Sequence, residues 1–136
     1  MFRYSTYLKL RDTDAAGVAF FASYYAIAHD AYEAFLNEQG RSLNHWLDQV
    51  NLPIVHSEAD YKAPLRLGDA FVIEVTCLKI SERSYTLNYT FLNESGVLAL
   101  IQTVHVAVSP DLDSKLKAVS LPAELKSLLN LIKVKA

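Results

Sequence analysis

Asp12 and Asp14 stand two residues apart in the stretch RDTDAAGVAFFASYYAIAHDAYEAFL, residues 11–36, just ahead of a small-residue turn and an almost uncharged run. A carboxylate can act as nucleophile or as general base. A helix start offers the complement, because its leading amides lack intrahelical partners and its dipole favours negative charge. Residues 18–22 contain no Ser, Thr, Asp or Asn, so no local side chain of that kind caps a helix beginning there. An uncapped, buried helix start is an open donor site beside an acid. The plainer reading of the same spacing is an acid that serves as a cap or as a dipole partner.

The elements that must position these groups follow from periodicity. Residues 3–11 alternate, with Tyr4, Thr6, Leu8 and Leu10 on one side, and predict a strand. Residues 12–17 read as a turn. From 21 to 39 the pattern is helical, roughly 27 Å long, with Gly40 as its stop. Its alanines at 22, 26, 28, 31 and 34 favour helix and permit close backbone approach. Its apolar residues cover much of the circumference, which predicts burial. Residues 42–50 predict a short second helix with Ser42 as cap and Leu43, Trp46, Leu47 and Val50 on one face. Strands are expected at 54–63, 71–80, 83–93 and 97–109, with turns at Gly68-Asp69 and 93–96. A last helix is expected at 121–131, with Pro122 in its first turn and a frayed tail at 133–136. Consecutive strands with short turns give an antiparallel sheet, and one long apolar helix must be covered by it. The expected fold is α+β, a curved sheet of about five strands wrapped around one central helix.

Composition narrows the function. The chain has 136 residues, 51% hydrophobic and 21% charged, with a net charge of −2. That fits one domain, 1–136, with one core. It points to neither nucleic acid nor an anionic membrane as main partner. Cys77 is the single cysteine, so an intramolecular disulfide and a Cys-based zinc site are excluded and a reducing, cytoplasmic setting is expected. The N-terminal segment lacks a signal-peptide h-region, and His29, Asp30 and Glu33 interrupt the apolar run 18–36 that could otherwise suggest a membrane span. No metal-ligand spacing, no Gly-x-Ser-x-Gly elbow and no phosphate-cradling glycine loop occurs, so no metal site and no serine triad is expected.

The segment DTDAAGVAFFASYYAIAHDAYEAFL resembles the D-x-D-x-x-G signature of hotdog-fold acyl-CoA thioesterases of the 4-hydroxybenzoyl-CoA thioesterase type. LPIVHSEADYKAPLRLGD, residues 52–69, resembles the second motif of that family, an acidic-aromatic pair followed by Pro and then Gly-Asp. The resemblance runs from about residue 7 to 129. The groups Asp-Thr-Asp, Ala-Gly-Val, His29 to Glu33 and Leu52-Pro53-x-Val55-His56 are most similar to the 1,4-dihydroxy-2-naphthoyl-CoA hydrolases, which serve phylloquinone and menaquinone synthesis. The resemblance implies an acyl-CoA thioesterase acting on an aromatic acyl-CoA. It needs no cofactor, since coenzyme A is part of the substrate. It also implies a homo-oligomer, a dimer or a dimer of dimers (a homotetramer).

Residue by residue, the resemblance makes Asp14 the catalytic carboxylate, as nucleophile or general base. It puts the carbonyl-polarising amide on Phe21, a kind of donor typically worth about 3 kcal/mol at the transition state. Gly17 would let the chain turn sharply and the thioester approach. Asp12 is expected to turn the loop or pair with a cation. His29 and Glu33 share a helix face, either as the polar end of an acyl pocket or as a satisfied buried pair or subunit contact. Tyr24, Tyr25 and Tyr32 could shape an aromatic pocket or belong to the core. His56 lies in a strand that family members pair across a dimer, near the partner's catalytic loop, and is a candidate lining residue. Lys62, Arg66 and above all Arg83 are candidates for the coenzyme A phosphates. His45, His105 and Cys77 read as structural. Two other classes compete: a hydratase or dehydratase, which commonly needs a His absent beside Asp14, and a non-catalytic acyl-CoA-binding module. Short-chain acyl-CoA, acyl carrier protein thioesters and 4-hydroxybenzoyl-CoA are alternative substrates.

Overall fold

A computed structural model describes residues 1–46, 48–111 and 117–135. Strand β1 spans Phe2–Tyr7, helix α1 Ser23–Glu38 and helix α2 Leu43–Trp46. Strands β2 to β5 span Ile54–Tyr61, Ala70–Ile80, Ser84–Asn93 and Gly96–Val106, and α3 spans Ala123–Asn130. The strands form one antiparallel sheet in the order β1-β3-β4-β5-β2. No helix among the described residues is long and apolar enough to cross a membrane.

Strict alternation in β3, β4 and β5 sends one set of side chains inward. Phe71, Ile73 and Val75, then Tyr85, Leu87, Tyr89 and Phe91, then Ala99 and Ile101 are buried there. Against them α1 lays Tyr24, Ile27, Ala28, Ala31, Tyr32, Phe35 and Leu36. Ala28 and Ala31 are fully buried, and their short side chains let the helix axis sit close to the sheet. Each large residue at this seam is worth about 2–5 kcal/mol against truncation to Ala. The helix is about 24 Å long. It stops where expected: Gly40, at φ 72°, bonds to Asn37 O, and Arg41 N–H reaches back to Leu36 O, the paired bonds of a Schellman close.

Several boundaries differ from expectation for identifiable reasons. Strand β1 ends at Tyr7 because a 3₁₀ turn, Leu10–Asp12, follows, and Leu10 points to solvent instead of continuing the inward row. Helix α2 is one turn long among the described residues and docks by a buried Trp46, while Leu47 of the expected face lies outside them. The tail is docked rather than frayed at Lys133 and Val134, while Ala136 lies outside the described residues. Strand β1 runs out at Phe2 opposite Val75, which leaves the β3 edge open at Cys77. Cys77 N–H then bonds to Ile132 O and Val134 N–H to Cys77 O. Cys77 itself is a buried core thiol, as expected, and burial pushes it up from its ordinary value.

A polar seam crosses this core. The Tyr32 and Tyr85 hydroxyls meet at 2.6 Å. His105 lies parallel to the Tyr85 ring at 4.8 Å, donates from Nδ1 to Leu52 O (3.1 Å) and accepts at Nε2 from Thr103 Oγ1 (3.0 Å). Burial pushes the Tyr32 phenol up to about 12 and the His105 imidazole down from 6.5 to about 4. Both the folded and the unfolded chain hold a neutral His105 above pH 6.5. Below that, the unfolded chain takes a proton that the folded chain refuses, so stability falls from pH 6.5 down to about 4. Urea titrations across this window should lose about 3 kcal/mol from this group, and His105→Asn should flatten that part of the slope.

Candidate active site

The loop between β1 and α1 is shaped by its own side chains. Asp12 Oδ2 accepts from Lys9 N–H (3.0 Å), and the Asp12 carbonyl takes Phe20 N–H (2.9 Å). With Arg11 at 4.0 Å, Asp12 turns the loop and meets a cation, both as expected. Asp14 N–H bonds to Val18 O and Gly17 N–H to Asp14 O, closing a tight turn with Gly17 at φ 76°. Asp14 Oδ1 accepts from Ala16 N–H at 2.8 Å, while Oδ2 takes no hydrogen bond from a described residue. The loop is then pinned to the segment between β2 and β3 by Ala19 N–H to Leu65 O and Leu67 N–H to Gly17 O.

Helix α1 begins without a side-chain cap. Ser23 N–H bonds to Phe20 O and Tyr25 N–H to Ala22 O, a tight first turn. Among the described residues none accepts from the Phe21 or Ala22 amide. These open donors stand at the positive end of the helix dipole, next along the chain from the Asp14 turn. Beside them is a cleft of about 320 Å³ lined by Val18, Ala19, Phe21, Tyr24, Tyr61 and Lys62 with Ala63 and Pro64. Tyr24 is 4% exposed and meets Tyr61 edge-on at 5.0 Å and Phe91 at 5.4 Å, so it is at once a core residue and the cleft floor. Burial pushes its phenol up, opposed by a hydrogen bond with the Leu65 backbone. Tyr25 is half-buried near Tyr61.

Phe21, Tyr24 and Lys62 thus line this cleft, while Asp14 and Gly17 lie in the loop that leads into it and Tyr25 stands near Tyr61. His29, His56 and Arg83 do not join them within one chain. His29 is eight residues beyond Phe21, about 12 Å along the helix. It lines a separate cleft of about 330 Å³ with Glu33, Trp46, Ile54 and His105. His29 and Glu33 are both exposed and make no buried pair, because that helix face looks into this cleft rather than at the sheet. His56 is exposed, 3.5 Å from Glu58, and about 16 Å along β2 from Tyr61. Arg83 precedes β4 beside Ala107, at the sheet end away from the Asp14 loop.

Sequence reasoning passed over Tyr61. Its hydroxyl donates to Phe21 O at 3.0 Å, and the acidic-aromatic pair Asp60-Tyr61 in the second motif was the signal available. Strand β2, which carries it, is an edge strand whose outer side pairs with no strand among the described residues, and Ile54, Val55 and Tyr61 on it are exposed, as are Phe20 and Phe21 nearby.

The chain matches the thioesterase-like superfamily over residues 8–129. A 1,4-dihydroxy-2-naphthoyl-CoA hydrolase of Rippkaea orientalis is 38% identical over 112 residues, which cover 79% of this chain and 81% of that protein. One of Microcystis aeruginosa is 34% identical over 125 residues, 90% of this chain and 88% of that protein. Among solved structures, a 1,4-dihydroxy-2-naphthoyl-CoA thioesterase from Synechocystis superposes with a TM-score of 0.86 at 29% identity, covering 95% of each chain. A gentisyl-coenzyme A thioesterase superposes at 0.80 with 26% identity, covering 94% of this chain and 98% of that one.

A Cβ built on Gly17 meets nothing within 4 Å, so the glycine is required by its backbone angle and not by crowding. Gly17→Ala should cost about 1–2 kcal/mol, read as a lowered urea midpoint.

Proposed function

Because this chain belongs to the thioesterase-like superfamily and is a hotdog-fold thioester hydrolase, we propose that it cleaves an aromatic acyl-CoA, 1,4-dihydroxy-2-naphthoyl-CoA, in the synthesis of phylloquinone or menaquinone. The observation that carries this reading is the Asp14 turn running straight into an uncapped helix whose Phe21 and Ala22 amides are open among the described residues. Hydrolysis needs donors for the carbonyl oxygen as it gains charge and a group that attacks the carbon or activates water. In this reading the Phe21 amide polarises the carbonyl and Asp14 acts as nucleophile or as general base. The carbon–sulfur bond breaks, coenzyme A leaves as the thiol, and the oxygen of water ends in the naphthoate. Gly17, with open space where a Cβ would stand, leaves room for the thioester.

The substrate assignment rests on the names borne by the relatives above, and the gentisyl-coenzyme A neighbour favours hydroxylated aromatic acids as the wider class. The exposure of Asp14 and the open β2 edge favour a site completed by a second copy of the chain. If two β2 strands pair antiparallel, the His56 and Ile54 end of one lies beside the Tyr61 and Phe21 end of the other. His29 and His56 then serve the partner's Asp14 as substrate-binding groups, with Tyr24 and Tyr25 beside it and Arg83 toward the coenzyme A phosphates.

Free-thiol release should be fastest with 1,4-dihydroxy-2-naphthoyl-CoA in a panel that includes 4-hydroxybenzoyl-, gentisyl- and short-chain acyl-CoA. Asp14→Asn should lower kcat by about 10³-fold or more while KM stays within a few-fold; near-wild-type turnover would remove the carboxylate's assigned part. Sedimentation should give at least twice the chain mass of 15.2 kDa.

A further inference from the structure

We infer that Tyr61 is a positioning residue for this reaction: its hydroxyl fixes the Phe21–Ala22 peptide, and with it the direction of the Ala22 N–H, which acts as a second donor to the thioester oxygen beside the Phe21 N–H. The inference rests on the thioesterase reading and deepens it. Phe21 precedes Ala22, the N-cap of α1, so its carbonyl lies outside the helix ladder and has no helical donor. Tyr25 N–H turns to Ala22 O at 3.2 Å, and the Phe21 carbonyl receives the Tyr61 hydroxyl at 3.0 Å. The side chain supplies this carbonyl with a donor that the helix does not.

Phe21 C=O and Ala22 N–H belong to one planar trans peptide, so they point in opposite directions. Holding the carbonyl toward Tyr61 holds the Ala22 N–H away from it. Donation to the carbonyl also polarises that peptide and strengthens its N–H as a donor. Three features make Tyr61 suited to this. Its ring is fixed edge-on against the buried Tyr24 at 5.0 Å. It ends β2, whose ladder to β5 runs through Tyr61 opposite Ala99, so its backbone is held. Burial and the neighbouring Tyr25 push its phenol up, so it keeps its proton at neutral pH.

Tyr61→Phe keeps the ring and removes only the hydroxyl. On the aromatic acyl-CoA that the wild type turns over, kcat should fall about tenfold, a fraction of the loss on deleting an oxyanion donor outright. KM should hold within about twofold, the pH at half-maximal kcat should be unmoved, and the melting temperature should hold. In an amide proton–nitrogen spectrum the Ala22 proton should shift upfield. Wild-type kcat in the variant with an unmoved Ala22 signal overturns the inference and leaves the thioesterase reading intact. A raised KM at constant kcat overturns it too, since the hydroxyl would then be touching substrate. A wild type that releases no thiol from any member of the panel takes down the parent reading, a result separate from either.

Discussion

The close seat of α1 on the sheet is the constraint from which the rest follows. Ala28 and Ala31 are fully buried at the contact, and no longer side chain there would let the helix lie so near β3, β4 and β5. A helix held that tightly along its length cannot slide or tilt to satisfy its own first turn. Its start is fixed beside Leu65, where the incoming loop is already bonded, and residues 18–22 bring no capping side chain. Packing thus keeps backbone donors open that a free helix would cover by fraying or by a cap. The contact that stabilises the core is in this respect the one that leaves these amides open.

The edge strand β2 shows how the core reaches the periphery. Just ahead of its first residue, Leu52 O accepts from His105, which is buried near the end of β5 and stacked on Tyr85. At its last residue, Tyr61 donates to Phe21 O at the helix start. The strand is therefore tied at one end to the buried core and at the other to Phe21, just ahead of α1. Its outer edge pairs with no strand among the described residues, which suits a strand that meets another copy of the chain.

Much of this was legible in the sequence because it follows from period and punctuation. The five strands, the long helix, its stop at Gly40 and its uncapped start were all carried by alternation, glycine placement and the absence of capping residues. The parts that were not legible depend on contacts between distant segments. The tail looked frayed because nothing local holds it; the open β3 edge at Cys77 does. His29 and Glu33 read as a buried pair or subunit contact ahead of the polar end of a pocket, since four-residue spacing places them on one face without saying what that face meets. Tyr61 carried a motif signal, but its bond to a carbonyl forty positions earlier is a product of the fold. That Asp14 and Gly17 fall in the loop leading to Phe21 and Tyr24 was readable because they are neighbours in the chain. The remoteness of His56 and Arg83 became visible only with strand order and register.

Trp46 is the single tryptophan, 1% exposed, with its indole N–H unpartnered among the described residues and the His45 ring edge-on at 4.6 Å. It also lines the cleft that His29 and Ile54 share. The molecule therefore carries a private optical reporter in that wall. A buried indole should emit to the blue of an exposed one, and an aromatic guest settling against it should quench that light by stacking or by energy transfer. Occupancy of the cleft can thus be watched directly, without a label and without turnover.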